Sequence, residues 1–272
     1  MHATVRRLAL AALASALPFA ALAQAPADKT VAPAAAEAKP AFEPHSGQAG
    51  KDVVWVPTPQ VLVDRMLDLG KVGPKDYLMD LGSGDGRTVI TAAKRGARAV
   101  GIEYNPDMVA LSQKNAEKEG VSSKATFMKA DLFETDFSKA TVITMFLLPS
   151  INLKLRPKIL QLRPGTRVVA NTFDMGDWEP DERAVITPEQ GCDAAWCTAL
   201  LWIVPAQVAG TWTLPGGAKA ELRQRYQMLT GTVAEGGKTY VLEGKVDGRE
   251  VEFTAGGRTY RGTAKGKTIA WR

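Results

Sequence analysis

The stretch YLMDLGSGDGRTVITAAKRGARAVGIEYNP, Tyr77 to Pro106, restricts the fold more than any other part of the chain. An apolar run dense enough for a buried strand enters Gly82, Gly84 and Gly86, spaced G-x-G-x-G, and a helical pattern and second strand follow. Glycine lets the backbone turn tightly and lets a ligand approach with no side chain in the way. The free amides at the start of the following helix then face that ligand. A chain builds a nucleotide site in this way, at the carboxyl edge of a sheet.

The alternation continues. Strand patterns at 98–103, 125–130, 141–146 and 167–173 are separated by helical stretches near Thr88 to Lys94, Pro106 to Glu119 and Ile151 to Leu162, the last interrupted by Pro157. Ahead of them VPTPQVLVDRMLDLGKV reads as a helix, with Thr58 as N-cap, Pro59 in the first helical position, and Val61, Leu62, Met66 and Leu69 on one face. ERAVIT and TALLWIV follow with no helix between them and read as a closing antiparallel hairpin. The expected class is α/β, a Rossmann-like doubly wound sheet over residues 51–205. After Pro205 come short alternating stretches, including KAELRQRYQML as one strand, separated by PGG, EGG, DG, GG and KG. They predict a small antiparallel all-β module over 206–272, a sandwich or barrel serving stability or docking.

The ligand follows from charge. A dinucleotide fingerprint would place its third glycine where Arg87 stands, and Asp85 would repel a pyrophosphate. A carboxylate there suits a ligand that carries positive charge and no phosphate, as S-adenosylmethionine does. Glu103, ending the second strand, is placed to accept hydrogen bonds from both ribose hydroxyls, and Asp131, after the third, to meet the adenine amino group. With Asp80, Gly82, Ser83, Gly84 and Gly86 they converge on one crevice.

Through DLGSGDGR, GIEYNP and ADLF the chain resembles the class I, seven-β-strand S-adenosylmethionine-dependent methyltransferases. Through WVPTP, MFLLPSINLKL and NTFDMGDW it is similar more narrowly to the lysine methyltransferases of the ATP synthase c-subunit and the adenine nucleotide translocase, and their bacterial relatives. The resemblance implies strand order 3-2-1-4-5-7-6, S-adenosyl-L-methionine as cofactor, a cofactor-covering role for Pro57 and Thr58, and a protein lysine as substrate. The C-terminal β module is a departure from the mitochondrial members.

Methyl transfer asks the protein to align an unprotonated nucleophile and exclude water. A free lysine, with pKa near ~10.4, is mostly protonated, and an apolar channel would lower that value. MFLLPS leaves the fourth strand beside the crevice, so Phe146, Leu147 and Pro149 are candidates for the channel wall, although Phe146 and Leu147 serve equally well as core. Asn171, Thr172 and Asp174 are candidates for the opposite side. No general base stands out.

The chain's beginning adds a second theme. Arg6 and Arg7 precede an uncharged Ala-rich run with small residues at Ala21 and Ala23, the pattern of a signal peptide over 1–23. Its removal takes the formal charge from +5 to +3, which calls for no nucleic-acid partner, and no later segment could insert in a membrane. Residues 24–50, rich in Ala and Pro, read as a linker. Export to a periplasm is expected, and there Cys192 and Cys197 would form a disulfide across a turn, the alternative being two buried thiols. The only histidines, His2 and His45, lie in the signal and linker, so neither a zinc cluster nor a Ser/His triad is available. Besides a protein-lysine methyltransferase, the sequence admits a small-molecule methyltransferase or a non-catalytic exported protein that binds S-adenosylmethionine or adenosine.

Overall fold

The computed structural model describes residues 42–272, so the signal pattern and the linker before Phe42 lie outside the described residues. The described chain forms one compact unit holding two seven-stranded sheets.

The first sheet alternates with helices: α1 (Gln60–Leu69), β1 (Tyr77–Leu81), α2 (Arg87–Lys94), β2 (Arg98–Glu103), α3 (Pro106–Lys118), β3 (Ala125–Lys129), β4 (Val142–Met145), α4 (Pro149–Ile159) and β5 (Arg167–Asn171). The hairpin β6 (Glu182–Val185) and β7 (Thr198–Ile203) closes it. Strand order is β3-β2-β1-β4-β5-β7-β6, as the resemblance implied, with β1 to β5 parallel and β7 antiparallel to both neighbours. Successive strand residues point to opposite faces. Leu78 accordingly packs with Val63, Leu67 and Val89 from α1 and α2, while Met79 packs with Ile151, Leu155 and Ile159 from α4. Pro157 stays inside α4, late in a helix whose last turn also carries Lys158. Order reverses between β1, which runs outward to β2 and β3, and β4 on its other side; this switch point opens the crevice at the strands' carboxyl ends.

The helix start differs from expectation. Thr58 is not the N-cap: α1 begins at Gln60, with Pro59 in the cap position and no side-chain cap bond. The Thr58 hydroxyl instead accepts a bond from Asn171 Nδ2 at 3.3 Å, a partner 113 residues away.

The second sheet is a meander, β8 (Gly210–Thr213), β9 (Lys219–Arg225), β10 (Met228–Glu235), β11 (Lys238–Asp247), β12 (Glu250–Ala255), β13 (Arg258–Lys265) and β14 (Thr268–Trp271), each paired antiparallel with the next. Its strands share one core, in which Leu222, Leu242 and Phe253 are buried under Tyr240, Tyr260 and Trp271. KAELRQRYQML is therefore not one strand. It turns back at Tyr226, which takes φ 52° with no glycine to mark the turn. The compensation is contact: the Tyr226 ring stacks on Trp178 at 5.8 Å, its hydroxyl donates to Asp177 at 2.9 Å, and Gln227 donates to the Glu179 carbonyl at 2.8 Å. This turn is where the meander grips the segment that follows β5.

Candidate active site

The crevice floor is the turn between β1 and α2. Gly82, Gly84 and Gly86 all take positive φ, at 79°, 53° and 84°. At Gly84 space matters as much as conformation, because a Cβ there would sit 2.4 Å from Trp55 Nε1. Gly86, which precedes α2, lies against Phe127 and Ser112, where a Cβ would meet ring atoms at 2.7 Å. Gly82 and Gly84 line the crevice; Gly86 instead lets α3 and β3 approach the turn.

Acidic groups surround this floor. Glu103, at the end of β2, faces the crevice and accepts bonds from the Gly84 amide at 3.0 Å and the Asn105 amide at 2.9 Å. Asp80, on β1, is 6% exposed and accepts a 2.6 Å bond from Thr144 on β4. Burial pushes its carboxyl up to about 7, the Thr144 bond opposes the shift, and the charges of Glu103 and Asp85 add to it. Asp131 lies across the opening, paired with Lys51, whose hydrogen bond holds the carboxyl below the usual range together with the Phe133 amide. Lys51 in turn is raised, first by that same bond.

A strap roofs the crevice. Residues 48–58 line it continuously, and backbone bonds Gly47 N to Trp55 O at 2.8 Å and Trp55 N to Gln48 O at 2.9 Å fold the strap into a small loop. Arg87 fastens strap to floor: its guanidinium pairs with Asp85 at 2.6 Å and donates to the Thr58 carbonyl at 2.9 Å. Pro57 and Thr58 thus lie in the crevice wall alongside Phe146 and Leu147. Pro149 opens α4 outside that wall, and Asn171 is buried behind Thr58.

The donor set fits an adenosine ligand with a positive charge. Ser83 Oγ is buried on the crevice wall with no hydrogen-bond partner among the described residues, a group that calls for a ligand or water bond. Met66, Ile102, Met108 and Leu132 give an apolar seat between the carboxylates of Glu103 and Asp131, and among the described residues nothing basic except the paired Lys51 and Arg87 lines the wall. Sequence reasoning did not single out Lys51, Trp55 or Tyr104 on the crevice wall, nor Thr144 behind it on Asp80, although WVPTP contained Trp55 and GIEYNP contained Tyr104.

Comparison with known proteins agrees. The family model described as the ANTKMT methyltransferase domain matches residues 80–182. A protein-lysine N-methyltransferase of Saccharolobus islandicus is 47% identical over 142 residues, covering 51% of this chain and 87% of that protein. The chain belongs to this methyltransferase family. The methyltransferase is also 42% identical over 120 residues to the human lysine N-methyltransferase of the ATP synthase c-subunit, covering 44% of this chain and 50% of that one. For the mouse adenine nucleotide translocase lysine N-methyltransferase the values are 34% over 136 residues, 49% and 57%. The chain thus spans most of the archaeal relative but about half the length of these two animal relatives. Among solved structures, one described as an RNA methyltransferase from Salinibacter ruber in complex with S-adenosyl-L-homocysteine is 50% identical, with TM-score 0.51, covering 56% of this chain and 96% of that chain.

The stapled hairpin completes the site's surroundings. Cys192 and Cys197 form a disulfide, with Cα atoms 6.0 Å apart, across a loop that begins with the short 3-10 turn Pro188–Gln190 between β6 and β7. Thr172, just past β5, is in the left-handed region at φ 56°, unusual for a β-branched residue. Its amide donates to the Thr198 carbonyl at 2.7 Å, and the Phe173 amide closes a tight turn onto the Asn171 carbonyl at 2.6 Å.

Proposed function

We propose that this methyltransferase transfers a methyl group from S-adenosylmethionine to lysine side chains of a protein. The observation that carries this reading is the 47% identity extending over 87% of the archaeal protein-lysine N-methyltransferase. When bound, the cofactor supplies a methyl carbon already activated by a sulfonium, so what remains for the protein is alignment and dehydration. Glu103 is the acceptor for the ribose hydroxyls and Asp131 for the adenine amino group; Ser83 and Asp80 hold the polar end, with Asp80 able to meet positive charge as it ionises. Pro57, Thr58 and Trp55 exclude water from above. Phe146 and Leu147 offer an apolar wall on which an incoming amine loses solvation and sheds its proton more readily.

Export is the second half of the proposal. The signal pattern over 1–23 supports it, and so does the disulfide, a bond that persists in oxidising compartments. On this reading 51–205 is the catalytic domain and 206–272 a module that steadies the segment after β5.

Incubation of the purified chain with methyl-labelled S-adenosylmethionine and envelope extract tests the reaction. Label recovered on lysine after complete digestion is the expected result. The similarity to a structure described as an RNA methyltransferase makes RNA the rival acceptor, and label confined to ribonuclease-sensitive material would overturn the lysine reading.

A further inference from the structure

Three aromatic rings from three separate elements meet at the rim of the crevice. Phe146 leaves β4 and lines the crevice wall. Phe173, after β5, stacks on it with centroids 5.9 Å apart and planes 17° apart. Trp196, inside the disulfide loop, meets the same Phe146 ring at 6.1 Å with a 59° tilt. Two near-parallel rings and one tilted ring make a corner, continuous through Phe146 with the crevice.

Its construction differs from ordinary core packing. All three rings are only partly buried, whereas the large aromatics of the sheet core, Trp178, Trp202 and Phe137, are fully buried. Each ring is also fixed by its own local device. Phe146 follows directly on β4, Phe173 is aimed by strained Thr172 and the tight turn onto Asn171, and Trp196 is held by the Cys192–Cys197 bond next to it. Backbone strain at a β-branched residue concentrates where function demands a fixed geometry. Among the described residues, moreover, the chain's own cations sit over Tyr104, Tyr77, Phe133, Tyr226 and Phe137, and over none of these three rings. Phe146 and Phe173 cover one another on their stacked faces, and the remaining partly exposed ring surfaces, with that of Trp196, carry no cation of the described chain.

We propose that Phe146, Phe173 and Trp196 form the acceptor subsite, with Trp196 as a specificity-determining residue. It takes an alkylammonium: the protonated lysine side chain as it arrives at the rim, which gives its proton to water before the desolvated amine passes along the Phe146 and Leu147 wall, and the methylated ammonium as it leaves. The inference rests on the lysine reading above and deepens it by naming what recognises the amine. Ring faces attract a cation through their quadrupole, and a methylated ammonium loses little hydration in approaching them. The disulfide thereby acquires a purpose, since it fixes the loop that carries the tilted wall.

Calorimetry on the full chain saturated with S-adenosylhomocysteine tests this. The probes are Nα-acetyl-Nε-trimethyllysine amide, whose charge is permanent, and its neutral isostere with carbon in place of the ammonium nitrogen. The wild type is expected to prefer the cation by about tenfold. Trp196→Phe should keep most of that preference, and Trp196→Leu and Phe173→Leu, which retain apolar bulk without a ring, should reduce it to about threefold or less. S-adenosylhomocysteine affinity should stay unchanged in all of them, which certifies that the variants fold. Equal affinity of the wild type for both probes, or an intact preference in Trp196→Leu, overturns the proposal. Failure of the lysine reading is distinguishable: no lysine would carry label in the transfer assay, even with the cation preference intact.

Discussion

The two sheets use the same residue for opposite ends. Gly84, in the turn after β1, leaves a space that is partly filled by the indole side chain of Trp55, whereas Gly244 of the meander leaves a space filled by the chain's own backbone: a Cβ there would lie 2.1 Å from the Glu252 carbonyl oxygen. Polar groups divide the same way. The crevice keeps a buried carboxyl, Asp80, and an orphaned hydroxyl, Ser83. On the meander, charged groups pair with one another at the surface, as Arg258 does with Glu235, Arg261 with Glu252 and Arg272 with Glu250. The first sheet holds its unmet bonding capacity in reserve for something else, while the second spends its own on itself. Chemistry belongs to the first.

The sharpest way to break this contrast is to exchange the two effects. Gly84→Ala should lower S-adenosylmethionine affinity roughly a hundredfold, about 2.7 kcal/mol, with a smaller loss of stability, about 1 kcal/mol, from the positive φ. Gly244→Val should do the reverse, destabilising the fold by about 3 kcal/mol through overpacking, with cofactor affinity preserved in the folded fraction. Loss of binding in the second variant at a temperature where it remains folded would mean that the meander shapes the crevice directly.

Smaller in effect is Glu103→Ala, which removes the acceptor of the Gly84 and Asn105 amides and the proposed ribose contact; titration calorimetry should show affinity falling by about 2 kcal/mol. The next test uses pH. Asp80 is neutral in the folded protein until about pH 7 and ordinarily ionises near the usual carboxylate range, so its neutral form binds a proton that the unfolded chain has lost. Stability from this group is therefore complete at acid pH and is lost as pH rises through about 7. A cationic ligand favours the ionised form, so cofactor affinity should climb as pH passes 7 and level off above it, and Asp80→Asn should flatten the profile. Last comes Lys51→Ala, which frees Asp131: a surface pair is weak, and affinity should rise only about threefold, with the gain shrinking in high salt.

What the sequence disclosed follows a physical division. The β1–turn–α2 unit and Glu103 were legible because glycine spacing and strand-end carboxylates are local signals, recorded within a few residues of where they act, whereas the strand order came only through the family resemblance. Tyr226 was missed because its positive φ is compensated by Trp178 and Asp177, more than forty residues away, and not by a turn residue. Thr58 was misread for the same reason, since its hydroxyl serves Asn171 and not its own helix. Phe173 lies in the NTFDMGDW motif and Trp196 between the paired cysteines, but nothing local showed that the two rings share a partner. Their meeting with Phe146 exists only once the hairpin has closed beside β5.

Arg87 has a kinetic implication. One guanidinium clasps both the turn beneath the ligand, through Asp85, and the roof above it, through the Thr58 carbonyl, so neither surface is released without the other. Escape of spent nucleoside is then a single concerted event that waits on one side chain letting go, and the pace of repeated turnover is expected to be set by that departure more than by the transfer itself.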